Sequence, residues 1–122
     1  MSDAAATRIA AGTGFLAVAL GAFGAHGLKH VLAENGTEAI WQTAVLYHLT
    51  HAIALLLVAG RKPFVAGAWW CFLVGIAVFS GSLYLLAITN AHWLGSLTPF
   101  GGMSLLAGWA WLFVCAAKSV GN

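Results

Sequence analysis

The 122-residue sequence predicts an all-α integral membrane protein: a four-helix bundle running up-down-up-down, with a short interfacial helix between spans one and two. Three observations carry this. Apolar residues make up 61% of the chain and charged residues only 7%, against roughly 25% charge in a soluble domain. Five basic and three acidic side chains cannot cover the surface of a water-soluble fold. The apolar residues also gather into four runs, at about 7–27, 38–60, 64–88 and 99–118. Each is long enough to cross the hydrocarbon core at about 1.5 Å per residue. The expectation is a single transmembrane domain over residues 1–122, with the lipid bilayer as its first partner.

Residues 1–7 read as a short frayed lead into the first span. Arg8 ahead of an apolar run resembles the opening of a signal peptide, but three more apolar runs follow where a polar mature domain would stand. The first run is therefore read as a retained span. In it Ala10, Gly14, Ala17, Gly21 and Gly24 recur at alternating spacings of four and three, a seam of small side chains that admits a neighbouring helix closely. From Leu28 onward Val31 and Leu32 share a face apart from Lys29, His30 and Glu34, which suits an interfacial helix ending at Asn35-Gly36. Thr37 is placed to cap the second span, with Glu38 in its first turn.

The second span stops at Gly60, with Arg61 and Lys62 beside its C-terminal end and Pro63 suited to the first position of the third span. That span carries a polar break at Ser80-Gly81-Ser82, followed by Tyr84. Residues 89–97 form a loop with His92 and Trp93 at interfacial height, and Thr98-Pro99 opens the fourth span, where Gly101, Ser104 and Gly108 repeat the small-residue seam. Cys71 and Cys115 stand in separate apolar runs without a CxxC or ligand spacing and read as small core residues. Arg8, Arg61, Lys62 and Lys118 fall on one side of the four-span arrangement and Lys29 alone on the other. The expectation is a plasma (inner) membrane protein with both termini cytoplasmic. The scattered basic residues give no nucleic-acid footprint.

Several segments together resemble a known family. Gly21-Ala22-Phe23-Gly24-Ala25-His26-Gly27-Leu28 is followed by Trp41-Gln42-Thr43-Ala44 leading to Tyr47-His48, then by Phe79-Ser80-Gly81-Ser82-Leu83-Tyr84 and Thr98-Pro99-Phe100-Gly101-Gly102. In this order they resemble the YgdD/YwdK type of small bacterial inner-membrane protein, domain of unknown function 423, with eukaryotic relatives called transmembrane protein 256. The resemblance covers nearly the whole chain, from about residue 9 to 114. It implies a four-span inner-membrane protein and supplies no established reaction, ligand or partner.

The residues that stand out chemically lie in the second span. On a helical wheel Thr43, Tyr47, Thr50 and His51 share one face, and His48 lies about 60° beyond His51. Both histidines then reach a bundle interior, where ionisable groups are costly unless they find partners. Two imidazoles without a nearby Cys, Asp or Glu make a poor metal site, so no metal is assigned. They are placed to relay protons, to hydrogen-bond a lipid, quinone or other small apolar ligand, or to supply an axial haem ligand. A purely architectural role fits as well, with each histidine bonding Ser80, Ser82, Tyr84 or a backbone carbonyl and fixing helix register.

A second cluster, His26 with Glu38 and Gln42, is expected where spans one and two meet, as a hairpin bridge or a binding site. No Ser-His-Asp order, paired carboxylates or phosphate loop is present, and the only acidic residues are Asp3, Glu34 and Glu38, so no catalytic residue is assigned and no cofactor is named. The leading expectation is a non-enzymatic protein whose core of Tyr47, His48, His51, Ser80, Ser82 and Tyr84 binds a small ligand or lipid. The alternatives are a structural subunit packing on a larger membrane complex through its small-residue seams, and a homo-oligomeric proton-coupled transporter or channel.

Overall fold

The computed structural model describes residues 1–120, with side chains through residue 116. Helix α1 spans Asp3–Ala25. Its first turn is a correction, because the segment read as a frayed lead is already helical. Ser2 caps it, the Oγ accepting the Ala5 N–H at 3.1 Å, and Asp3 stands where a carboxylate complements the helix dipole. Asp3 also pairs with Lys62, tying the start of α1 to the loop that follows the second span.

The short helix expected between spans one and two is present as α2, Lys29–Asn35, closed by Gly36 at φ +66°, a left-handed conformation that glycine adopts without strain. Helix α3 covers Glu38–Ala59. Thr37 does not cap it through its side chain. Its hydroxyl donates instead to the Ala87 carbonyl at 2.7 Å, and Asn35 Nδ2 donates to the carbonyls of Ala87 and Ile88, both at 3.0 Å. These three bonds latch the α2–α3 corner onto the end of the third span.

The third span is not one uniform helix. Pro63 lies in the loop, joined to Lys62 by a cis peptide, and α4 begins only at Ala66 and runs to Gly75. A π-helical turn, Ile76–Ser80, then leads into α5, Gly81–Thr89, which ends on Asn90 in a left-handed conformation. The polar break expected around Ser80 thus takes the form of a widened turn just before it. The residues expected as a plain loop include a 3₁₀ turn, His92–Ser96, before α6, Thr98–Val120. Four helical stretches, Asp3–Ala25, Glu38–Ala59, Ala66–Thr89 and His92–Ala116, are long and apolar enough to cross a membrane.

Packing order explains which residues become a core. α3 and the third span form the inner pair; α1 lies on α3, and α6 lies on α4 and the π turn. Accordingly 44% of an 18-residue apolar stretch in each inner span is buried, but only 17% of the corresponding stretch in α1 and in the fourth span. Both small-residue seams are filled inside the chain. Ala10, Ala17 and Gly24 of α1 are buried, and a methyl at Gly14 would touch Ala52 at 3.8 Å across the α3 contact. On α6 the Ser104 hydroxyl donates to the Cys71 carbonyl at 2.8 Å, and Gly101 and Gly108 accept Phe79 and Phe72. Between lipid-embedded helices there is little water to expel, so such close approach works through dispersion and interhelical hydrogen bonds.

Toward the end carrying the termini, Trp69, Phe72, Leu55 and Val58 interlock over Ala6 and Ala10. The Trp69 indole nitrogen is buried there without a hydrogen-bond partner among the described residues. At the α2 end a smaller cluster joins Leu32, Trp41 and Ala87. The Lys118 side chain, used in the sequence argument for orientation, lies outside the described residues.

Candidate functional site

The histidines occupy the middle of α3 and point into the bundle, 3% and 6% exposed. His48 Nδ1 and the Tyr84 hydroxyl are 2.8 Å apart. His51 is held on both sides: Nδ1 lies 2.8 Å from the Tyr47 carbonyl, and Nε2 accepts the Trp109 indole N–H at 3.0 Å. A carbonyl only accepts and an indole N–H only donates, so the proton of His51 sits on Nδ1 and Nε2 is bare. The two bonds together fix the tautomer and the orientation of the ring.

Of the six candidate core residues, the structure joins Tyr84 to His48 but sends both serines elsewhere. Ser80, buried, donates to the Ala44 carbonyl at 2.8 Å, and the Ser82 hydroxyl meets Thr98 Oγ1 at 2.7 Å. A serine side chain is short, so it reaches the nearest acceptor on the helix it crosses rather than a ring farther away. Tyr47 is 41% exposed, its ring set between Phe79 at 4.7 Å and the stacked His51 at 6.1 Å. Thr43 and Thr50 face outward, Thr50 donating back to the Leu46 carbonyl at 2.7 Å. The inward flank of α3 is instead Trp41, Ala44, His48, His51 and Leu55, because α3 is gripped by α1 on one side and the third span on the other.

These bonds make the polar core a set of register pins. Trp109→Phe keeps the ring contact with Phe72 (5.0 Å between centroids) but removes the donor to His51. The expected cost is about 0.5–1.5 kcal/mol, measured as a lower midpoint of reversible unfolding in mixed micelles. An unchanged midpoint would mean that the bond contributes nothing. Trp109 was invisible as a partner in the sequence, since an indole in an apolar helix reads as lipid-facing bulk. Among the described residues no three His, Cys, Asp or Glu side chains are grouped as metal ligands.

The open space lies elsewhere. A cleft of about 480 Å³ runs between α1, α2 and α3. Gly21 and Gly24 leave its α1 wall without side chains, and Val45, Leu46 and Leu49 line the α3 wall. Lys29, Glu38 and Gln42 stand at its polar end. Glu38 and Leu49 both line it, eleven residues apart on one helix, so the cleft runs about 16 Å along α3. Glu38 and Gln42 of the second expected cluster are therefore together here, joined by Lys29 of α2. His26, the exposed C-cap of α1, is outside the lining, and no hydrogen bond joins it to Glu38 or Gln42 among the described residues. A second groove of about 410 Å³, beside Tyr47, His51, Phe79, Met103 and Trp109, opens between α3 and α6.

A family model described as a protein of unknown function, DUF423, matches residues 20–102. The UPF0382 membrane protein YwdK of Bacillus subtilis (strain 168) is 41% identical over 109 residues, covering 84% of this chain and 88% of the relative. The UPF0382 inner membrane protein YgdD of Escherichia coli (strain K12) is 42% identical over 115 residues, covering 89% and 86%. A UPF0382 membrane protein of Haemophilus influenzae is 40% identical over 111 residues, covering 88% and 89%. No solved structure matches the chain.

Proposed function

This chain belongs to the DUF423 family of membrane proteins, and from that premise we propose that it is a non-enzymatic, multi-pass protein that holds one lipid in the cleft between α1, α2 and α3. The observation that carries this reading is the cleft's polarity along its length. Charged and amide groups stand at one end and aliphatic groups at the other, which is the pattern of an amphiphile crossing from the interface into one leaflet. The His48–Tyr84 and Trp109–His51 bonds then serve as the framework that fixes α3 beside the cleft.

The basic residues orient it. Arg8, Arg61 and Lys62 lie at the end carrying the N-terminus and the α3–α4 loop, so that end is cytoplasmic and the cleft opens to the outer leaflet. A complex-subunit role has less support, because the small-residue seams it relied on are occupied by the chain's own helices. A proton relay has less support too, because both ring nitrogens of His51 are engaged by groups that do not pass a proton on.

Leu46 lines the cleft with 63% of its surface exposed, so Leu46→Trp fills the space without disturbing the core. Native mass spectrometry of gently extracted protein is expected to find one retained lipid on the wild type and at least about tenfold lower occupancy on Leu46→Trp, with the helical circular dichroism of both the same. A bare wild type, or equal retention by both, overturns the reading. In intact cells an impermeant thiol reagent is expected to label Ala33→Cys, on α2; protection there until the membrane is broken would reverse the orientation.

A further inference from the structure

We infer that the headgroup held at this cleft is a zwitterion with a primary amine, as in phosphatidylethanolamine, its phosphate toward Lys29 and its ammonium toward Glu38 and Gln42. This rests on the cleft being a lipid site and goes further by naming the lipid class. Lys29 and Glu38 line the same cleft with opposite charges, yet no ion pair joins them among the described residues. Each charge is left for an outside partner.

Their places on the helices sharpen the point. Glu38 in the first turn of α3 complements the dipole of its helix. Lys29 is the first residue of α2, where a cation gains nothing from its helix, so local helix stability does not explain it. A headgroup carrying one phosphate and one ammonium matches a cation and a carboxylate that line one cleft without pairing. A purely anionic headgroup would satisfy Lys29 but face the Glu38 carboxylate.

Gln42, one turn below Glu38 on the same wall, adds a carboxamide oxygen that accepts hydrogen bonds. A primary ammonium offers three N–H donors to Glu38 and Gln42 together, whereas a choline headgroup has the charge but no N–H. The site is thus built to read hydrogen-bond donors as well as charge.

The test uses the full-length protein equilibrated with vesicles of equal parts phosphatidylethanolamine, phosphatidylcholine and phosphatidylglycerol with matched acyl chains, followed by native mass spectrometry of the retained lipid. Phosphatidylethanolamine is expected to be enriched about tenfold over phosphatidylglycerol and about threefold over phosphatidylcholine. Glu38→Gln is expected to abolish the first preference while keeping total lipid retention, and Lys29→Gln to lower retention of all three lipids. Both side chains are exposed, so neither variant disturbs the buried packing. Equal retention of the three lipids, preference for phosphatidylglycerol, or a preference surviving Glu38→Gln overturns the headgroup assignment and leaves the lipid cleft standing. Loss of all lipid from the wild type, or retention undiminished in Leu46→Trp, overturns the cleft itself.

Discussion

Gly101→Ala is expected to destabilise the protein by about 3 kcal/mol, one of the two largest effects of any single methyl added to this chain. The α6 backbone at Gly101 lies so close to the third span that a methyl there would overlap the Phe79 backbone nitrogen and approach Phe79 Cα to 2.7 Å. Backbone atoms cannot rotate away as a side chain can, so either α6 moves out or the π turn at Ile76–Ser80 is redrawn. Either response also stretches the Ser82–Thr98 bond of 2.7 Å, which lies at the same crossing. Gly67 provides the contrast, because the group that a methyl would meet there is the outer ring of Trp111, which is 49% exposed and free to swing. Gly12 is the control, since nothing lies within 4 Å of an added methyl. Gly12→Ala should be neutral or stabilise by a few tenths of a kcal/mol up to about 1 through helix propensity. Unfolding midpoints of the three variants in mixed micelles give the order directly. A Gly101→Ala midpoint within error of Gly12→Ala would mean that α6 does not cross the third span at Phe79.

That crossing also marks where the sequence stops being legible. The four spans follow from composition, and the two seams from the spacing of small residues, because both are properties of one helix read alone. The α1 cap is equally local, since Ser2 followed by Asp3 is an ordinary helix start, but it lies ahead of the apolar run that marks the span. The π turn is different. It includes Phe79, against which Gly101 of another helix packs, and such a contact is not written in Ile76–Ser80 alone. The histidine partners belong to the same class. A wheel gives the angle between His48 and His51, but which flank turns inward depends on two neighbouring helices, and Trp109 lies 58 residues from His51 in the chain. Lys29 joined the cleft for a like reason, since its position depends on how α2 folds back over α1 and α3.

Trp41 and Gly24 are expected to show the strongest coupling in the protein. The Trp41 indole donates to the Leu20 carbonyl at 3.0 Å and packs on Tyr84 with centroids 4.7 Å apart, which brings its edge flat onto the bare Gly24 backbone. A methyl at Gly24 would overlap the indole nitrogen and meet Trp41 Cε2 at 2.9 Å. Gly24→Ala alone must therefore push a 3%-exposed ring out of place and break its bond to Leu20, at about 2–3 kcal/mol. Trp41→Ala alone removes the ring and leaves a cavity between α1, α3 and α5, at about 3–4 kcal/mol. In the double variant the obstruction and the ring are both gone, so Gly24→Ala adds almost nothing. The two changes then fall short of additivity by about 2 kcal/mol or more, far above the about 0.3–0.5 kcal/mol expected of independent sites. Additive costs would place the indole away from Gly24. The coupling reaches the proposed function because Trp41 and Gly24 are shared by the core and the cleft wall. Displacing the indole without removing it drives it into the cleft, so Gly24→Ala should lose bound lipid along with stability, whereas Trp41→Ala should lose stability and keep the lipid.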